Sequence, residues 1–455
     1  MKEKKTVYYD QMPLAGFDLV RICRSCSPAL HGRRRRTLLV LEQFPDDFEG
    51  TSLIKNKYEP FKSSANEAIH FKLVRQESDI EDDSKSFFPE MSHQIFGENE
   101  SIFGYRDLRV ELYYSAANLT TYLNLQYSDK VSPEKDDGLQ ADNVVQTMAK
   151  ELAPGFLTNK EEFLHRLPED ANFKPFGDLK HSYKVIKDNE ERHFEVYNTD
   201  IESPGFRAYH ERLQTFLLFF IDAASFIDAD DERWNFYLLF ERYKSNGNPM
   251  YAIAGYMTVY NYYAYPEKIR PRISQVLVLP PFQKQGHCAQ LIQTFYNDCY
   301  LRPEVLDITV EDPSENFQRV RDYVDVKNCL GLVSFQPDRL RNGFNDDMVR
   351  EARDKLKLSR RQARRVYEIM RLKATDTGNP EQYKAYRLDI KRRLNAPFQK
   401  NGRDFDKLQK TLLPDELSAT LNSMNAEQRL QYLETSFQEH VDMYRHVIER
   451  VCASV

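Results

Sequence analysis

Polar and apolar positions change period repeatedly between residues 209 and 330, and each change predicts an element. Leu213, Phe216, Leu217 and Phe220 recur at helical spacing and predict a helix over 209–227. The run WNFYLLFERY at 234–243 predicts a strand. Residues 245–249 (SNGNP) have hairpin-turn composition, and 251–265 predicts a long returning strand. A further strand is expected at 272–279, a helix from Gly286 toward Tyr300, a strand at 305–310 and a helix at 314–329. Antiparallel strands followed by strand–loop–helix–strand–helix require a mixed sheet with at least one parallel pair.

Upstream, residues 69–74 and 110–114 alternate as strands, and 119–127 does so imperfectly. After about Phe344 the chain reads as charged helices, with Ala363, Val366, Tyr367 and Met370 in one stripe and further helical pattern at 383–394 and beyond Pro414. The pattern divides the chain into an irregular extension at 1–55, an N-terminal α/β domain at 56–171, a core at 172–345 and a C-terminal helical domain at 346–455.

The composition, 41% hydrophobic and 29% charged, fits a soluble globular protein. The most apolar stretch, 216–227, carries Asp222 and falls short of the ~20 residues of a membrane span. Six scattered cysteines suit a reducing compartment. Cys23 and Cys26 have the spacing of half a zinc site, but no second pair follows, so no metal is expected. The net charge of −6 selects no partner. Arg33–Arg36 fits a nuclear-import signal as well as a plain basic tail.

Residues 279–291 read LPPFQKQGHCAQL. A strand-to-helix turn gathers backbone N–H groups at a helix N-terminus, where they and the helix dipole favour an anion. Gly286 presents no Cβ there, and Gln283 and Gln285 carry side-chain donors. On these residues alone, a phosphate cradle and a plain turn stay equally open.

The order Gln-x-x-Gly-x-small after an apolar strand resembles the acyl-CoA pyrophosphate loop of the GNAT N-acetyltransferase superfamily. Gln283, Lys284, Gln285, Gly286, His287, Cys288 and Ala289 would form it. Pro280 and Pro281 limit further pairing and splay the strand, leaving backbone groups of Val276, Leu277 and Val278 free for a pantetheine chain. Longer strings are similar to the catalytic subunit of the type B histone acetyltransferase. They include ERLQTF (211–216), ASFID (224–228), DDERW (230–234), GYMTVYNYY (255–263), LDITVEDPS (306–314) and RRVYEIMRL (364–372), with FFPE (87–90) and Phe96-Gly97 upstream. The resemblance covers roughly residues 65–455, and nothing before about residue 55 shares it.

That resemblance implies an α/β (α+β) fold: a GNAT mixed sheet flanked by helices, between an N-terminal α/β domain and a C-terminal helical domain. It implies acetyl-CoA as co-substrate and the amino-terminal tail of newly synthesised histone four as acceptor, modified on lysine before chromatin assembly. A WD-repeat β-propeller histone chaperone is the implied partner, with residence in nucleus and cytoplasm. Neither a membrane nor a sequence-specific nucleic acid is expected.

A free lysine has a pKa of ~10.4, so acetylation at neutral pH needs a group that removes a proton. Glu311 follows the predicted strand 305–310 at its carboxyl end, where ligands bind in α/β sheets, and it matches the family's general-base position. Asp312 and Ser314 both suit the N-cap of the next helix. By resemblance, Asp312 and Asp222 are further catalytic acids, with Asp222 standing where Glu is expected, and Ser314 contacts the cofactor. Cys288 stands where Gly or Ala is usual. Glu98, Asn99 and Glu100, in place of Asp-Asp-Glu, are implied to contact the tail, as are Tyr260, Asn261 and Tyr262, with Trp234 as a groove wall. Asp228, Asp230, Asp231 and Glu232 add negative field for a basic peptide. Without the resemblance, acidic turns are usually solvated and strand tyrosines usually packed. Arg360, Arg361, Arg364, Arg365, Lys391, Arg392 and Arg393 read as a solvated basic face. The alternatives are a small-amine acetyltransferase of the same fold and a non-catalytic histone- or DNA-binding protein.

Overall fold

The computed structural model describes residues 57–136, 138–228, 230–398 and 426–453. Cys23, Cys26, Arg33–Arg36 and residues 414–425 lie outside them. The described residues fall into two compact units, one within 57–375 with 443–453, the other within 376–398 with 426–442.

A six-stranded sheet organises the larger unit. We label a three-stranded N-terminal sheet β1 (Ile69–Val74), β2 (Arg109–Ser115) and β3 (Thr121–Gln126). The main sheet is β4 (Asp178–Lys187), β5 (Glu190–Thr199), β6 (Trp234–Ser245), β7 (Asn248–Ala264), β8 (Lys268–Val278) and β9 (Thr309–Val310). Its order is β9-β8-β7-β6-β5-β4, antiparallel except for the parallel β8–β9 pair, so the expected mixed sheet is present. Asn246 and Gly247, both at positive φ, make the two-residue β6–β7 turn; this mirror-image turn matches the strand twist.

The middle of β7, from Ala252 to Val259, is buried without alternation because both faces are covered. On one face, Phe236 meets Phe206 and His210 of helix α1 (Phe206–Gln214), with ring centroids 4.9 and 4.8 Å apart. On the other, Tyr237 donates to Asp298 (3.0 Å) and packs on Phe295 of α3 (His287–Tyr300); α2 (Leu217–Phe220) precedes α3 in the chain. The hydrophobic core runs continuously into the N-terminal sheet, where Phe71 packs on Phe219 at 5.0 Å and Tyr114 on Phe216 at 4.5 Å.

Helices α4 (Glu315–Cys329), α5 (Asp346–Leu356) and α6 (Arg360–Lys373) follow. The stripe Ala363, Val366, Tyr367, Met370 is buried, as its spacing predicts. In the smaller unit, α7 (Pro380–Asn395) packs Tyr386 on Phe437 of α8 (Ala426–Cys452) at 6.2 Å. The basic residues of α6 are not simply solvated. Arg365 reaches buried Asp322 (2.7 Å) and Arg364 reaches buried Glu368 (2.7 Å), so part of the charged pattern is an internal ion network.

Four elements depart from the sequence pattern. The helix expected over 209–227 breaks after Gln214 and ends at Phe220; Ile221 is extended and Ala223 has φ +53°. The carbonyl of Phe219 accepts from the N–H groups of Glu90 (3.0 Å) and Met91 (3.2 Å), which removes it from any longer helical ladder. The strand expected at 305–310 is regular only at Thr309–Val310, because the Ile308 N–H donates to Lys357 O (2.8 Å) instead of to a sheet neighbour. Strands β4 and β5 were not expected. Along the edge strand β4 only His181, Tyr183 and Val185 are half-buried, alternating with exposed polar residues, so its inward side is short and of mixed polarity.

Candidate active site

β8 and β9 pair only at Arg272–Thr309 and Ile273–Val310, and then part. The last link is the Glu311 N–H to Ile273 O at 2.9 Å. Beyond it, β8 stays paired to β7 through Val278, and Leu279 N–H donates to Ala254 O (2.9 Å). The splay therefore opens on the β9 side. Strand alternation turns Leu277 toward β7 and leaves Val276 and Val278 on the open edge, so Leu277 is not among the free groups expected. Gly255 is required for the tight β7–β8 approach: a Cβ there would lie 2.5 Å from Leu277 O.

The loop then turns through Lys284 (φ +62°) and Gly286 (φ +89°), which caps α3 with no side-chain acceptor on its first turn. A 14-residue helix thus presents uncapped N–H groups beside an open strand edge, the donor set that an acyl-CoA diphosphate and amide chain require. Each of the two glutamines spends one side-chain N–H inside the loop and keeps a second. Gln283 Nε2 is bonded to Val278 O (3.0 Å) and Gln285 Nε2 to Pro281 O (3.3 Å), so both brace the loop. His287 is buried, with Nδ1 2.6 Å from the Tyr183 hydroxyl and its ring 4.1 Å from Phe194. Burial, with the nearby Arg192 guanidinium, pulls its pKa down to about 4, so it is neutral at pH 7. Burial pushes the Cys288 thiol up to about 12, which leaves little thiolate and argues against a cysteine nucleophile. Lys284 is exposed in the loop, and Ala289 lies in the first turn of α3.

Glu311 is exposed, and its Oε2 accepts from Ser274 Oγ at 2.7 Å. Thr309 lies opposite Arg272, which lies opposite Tyr260, which lies opposite Trp234. Glu311, two residues after Thr309, falls on that same face by period-2 alternation. Trp234, Tyr260 and Tyr262 form an edge-to-face row with centroids 4.9 and 4.6 Å apart. The Tyr260 hydroxyl donates to Asp231 (2.8 Å), whose carboxyl is held well below its usual range by hydrogen bonds from Arg233. Asn261 is tied through its N–H to Arg233 O (3.1 Å).

The other acids are placed differently. Asp312 is exposed at φ +26°, and Ser314 is the α4 cap, accepting from Phe317 N–H (3.2 Å). Asp222 is 77% exposed in a loop, past Phe220, where the helix expected over 209–227 ends. It lies 3.3 Å from His93 Nε2, and His93 Nδ1 lies 3.7 Å from Glu100. Glu100 accepts from Ser92 N–H, His93 N–H and Asn66 Nδ2 (2.6, 3.0 and 2.8 Å), bonds that lower its pKa. It therefore anchors the His93–Phe96 turn, while Glu98 and Asn99 stay exposed. Gln275 Nε2 holds Ser225 O (2.9 Å), pinning the Asp222 loop one residue from Ser274. His93, Ser274 and Gln275 were not singled out by the sequence; only the fold joins them to the acids. Among the described residues, no cluster of three or more His, Cys, Asp or Glu has metal-binding geometry.

An open strand edge, an uncapped helix and a strand-end carboxylate are the features that an N-acyltransferase of the acyl-CoA type requires. Comparison with known proteins agrees. Residues 61–222 match the family described as Histone acetyl transferase HAT1 N-terminus, and 321–372 match Histone acetyltransferase type B catalytic subunit, C-terminal. A Homo sapiens histone acetyltransferase type B catalytic subunit is 48% identical over 413 residues, covering 90% of this chain and 98% of the relative. The Mus musculus protein of that name is 47% identical, covering 91% and 99%. One from Cryptococcus neoformans is 32% identical, covering 74% and 89%. The chain belongs to the histone acetyltransferase type B catalytic subunit family, and it is an acetyl-transferring enzyme.

Proposed function

We propose that this enzyme acetylates lysines in the amino-terminal tail of newly synthesised histone four before chromatin assembly, with Glu311 as general base. The supporting observation is the exposed Glu311 carboxylate, fixed by Ser274 where β8 and β9 part. Acetyl-CoA supplies the acetyl group as a thioester. The first-turn N–H groups of α3 bind its diphosphate, and the open edge, the peptide groups of Val276 and the Val278 N–H, pairs with its amide chain. The Trp234–Tyr260–Tyr262 row receives the aliphatic part of the peptide, and the exposed Asp222, Glu98 and Asp312 attract its cationic residues. Glu311 takes one proton from the lysine ammonium, directly or through a water. The neutral amine then forms the N–C bond as the C–S bond breaks, and its second proton passes to the leaving thiolate, which departs as the CoA thiol.

A WD-repeat β-propeller chaperone as partner, and residence in both nucleus and cytoplasm, accompany this reading; co-purification and cell fractionation test them. The function itself is tested with labelled acetyl-CoA and a histone-four tail peptide, a polyamine or no acceptor. Label on peptide with Glu311→Gln reducing the rate by ~10²–10⁴ is the expected result. Label on polyamine alone would point to a small-amine acetyltransferase, and CoA binding without turnover to a binding protein. A Glu311→Gln rate equal to the parent's across pH would remove Glu311 as base.

A further inference from the structure

Away from the acetyl-transfer face, a cavity of about 200 Å³ lies between the β2–β3 turn, the 153–156 loop and helix α1. Arg212 of α1 and Arg166 line it, with Asn118, Thr120 and Glu169. Arg212 is partly buried, and no carboxylate among the described residues forms an ion pair with it. Its Nε donates to Asn118 O at 3.2 Å, and no other acceptor among the described residues meets its guanidinium. Burial is the main influence on this group and pulls its pKa below the usual arginine value, a cost that a bound anion would relieve.

The wall that holds Arg212 is rigid. The Asn118 turn is fixed by buried Asp170, which accepts from Ala117 N–H (2.8 Å), Asn118 N–H (3.0 Å) and Asn118 Nδ2 (2.8 Å). Arg166 is partly engaged by Glu162 (2.8 Å) on the solvent side. With Arg166 paired to Glu162 and Glu169 at the rim, Arg212 is the lining guanidinium that has no carboxylate partner among the described residues. The volume lies below the ~300–1,000 Å³ of sites for drug-sized ligands, which excludes a nucleotide and suits a group the size of phosphate or a short carboxylate. A planar guanidinium with free N–H groups binds such oxyanions in bidentate fashion.

We infer that this cavity is a binding site for a small oxyanion, phosphate or carboxylate, gripped by Arg212 and distinct from the acyl-CoA loop. The full-length protein is held in saturating CoA, so that the α3 N-terminus is occupied. It is then titrated with inorganic phosphate, succinate or chloride at constant ionic strength, followed by calorimetry and thermal midpoint. Saturable binding of phosphate or succinate, at least tenfold weaker in Arg212→Met and tighter in Glu169→Gln, is expected. The preferred anion identifies the source: phosphate esters or metabolic carboxylates. Equal affinity in parent and Arg212→Met, or midpoints no higher than with chloride, would overturn the assignment. If Arg212→Met fails to fold, Arg166→Ala and Glu169→Gln at the exposed rim decide it: affinities unchanged in both refute the site.

Discussion

The buried imidazole of His287, first residue of α3, makes the loop that precedes α3 acid-sensitive by a calculable amount. Its folded pKa is about 4, against ~6.5 in an unfolded chain. The unfolded state therefore takes up a proton first as pH falls. The stability from a neutral His287 is complete above ~6.5 and is lost between ~6.5 and ~4. At ~1.4 kcal/mol per unit, the full loss is about 3 kcal/mol, of which about 2 kcal/mol has gone by pH 5. His287→Asn isolates this contribution, because Asn can still accept from the Tyr183 hydroxyl and does not titrate. Urea unfolding of parent and variant at pH 7.5 and 5.0 removes all other titrating groups by difference. The parent's stability relative to the variant should fall by about 2 kcal/mol between the two pH values. A relative change below about 0.5 kcal/mol would refute the buried, neutral assignment. The imidazole Cε1–H resonance gives an independent check: it should keep its neutral position down to about pH 5.

Four further outcomes follow from single contacts. Gly255→Ala puts a Cβ 2.5 Å from Leu277 O, so it should cost about 1–3 kcal/mol in urea unfolding and raise the KM for acetyl-CoA. Asp170→Ala leaves the N–H groups of Ala117 and Asn118 without acceptors inside the fold; a loss above about 3 kcal/mol by the same measurement is expected. Cys288→Ala should retain nearly full kcat, and the parent thiol should resist iodoacetamide at pH 8, because burial holds its pKa near 12. Ser274→Ala frees the Glu311 carboxylate from its 2.7 Å bond; kcat should fall several-fold with little change in KM for CoA, measured at saturating peptide.

The parts of the site that were legible in the sequence are those fixed locally. Asn246-Gly247 needs only two residues to dictate a hairpin, and Gly286 after two prolines needs only its positive φ to start α3. Glu311 could be placed at a strand end because the residues around it alternate, although the regular strand proved to be two residues long. The illegible parts are decided by contacts across the chain. Nothing near Phe220 announces that Glu90 and Met91 will claim the Phe219 carbonyl, yet that claim ends the helix and turns Asp222 out to solvent. The same long-range contact explains why His93 escaped notice: it lies beside both Asp222 and Glu100 only once the 90–91 segment is bonded to α2.

This placement changes what the Glu-to-Asp difference at residue 222 means. In a buried helix, a side chain one methylene shorter would fall short of a fixed target. In the loop, the carboxylate is exposed, its neighbour is His93, and its backbone is positioned by Gln275 on β8 and by Gln94, whose Nε2 reaches Ala224 O at 2.8 Å. The loop's placement, more than the length of one side chain, then sets where the charge stands relative to Glu311. An acid acting on substrate through field or through a bridging water tolerates an ångström of difference far better than one that must take a proton directly. Asp222→Asn should therefore raise the KM for a lysine-rich peptide more than it lowers kcat, while Glu311→Gln should do the reverse.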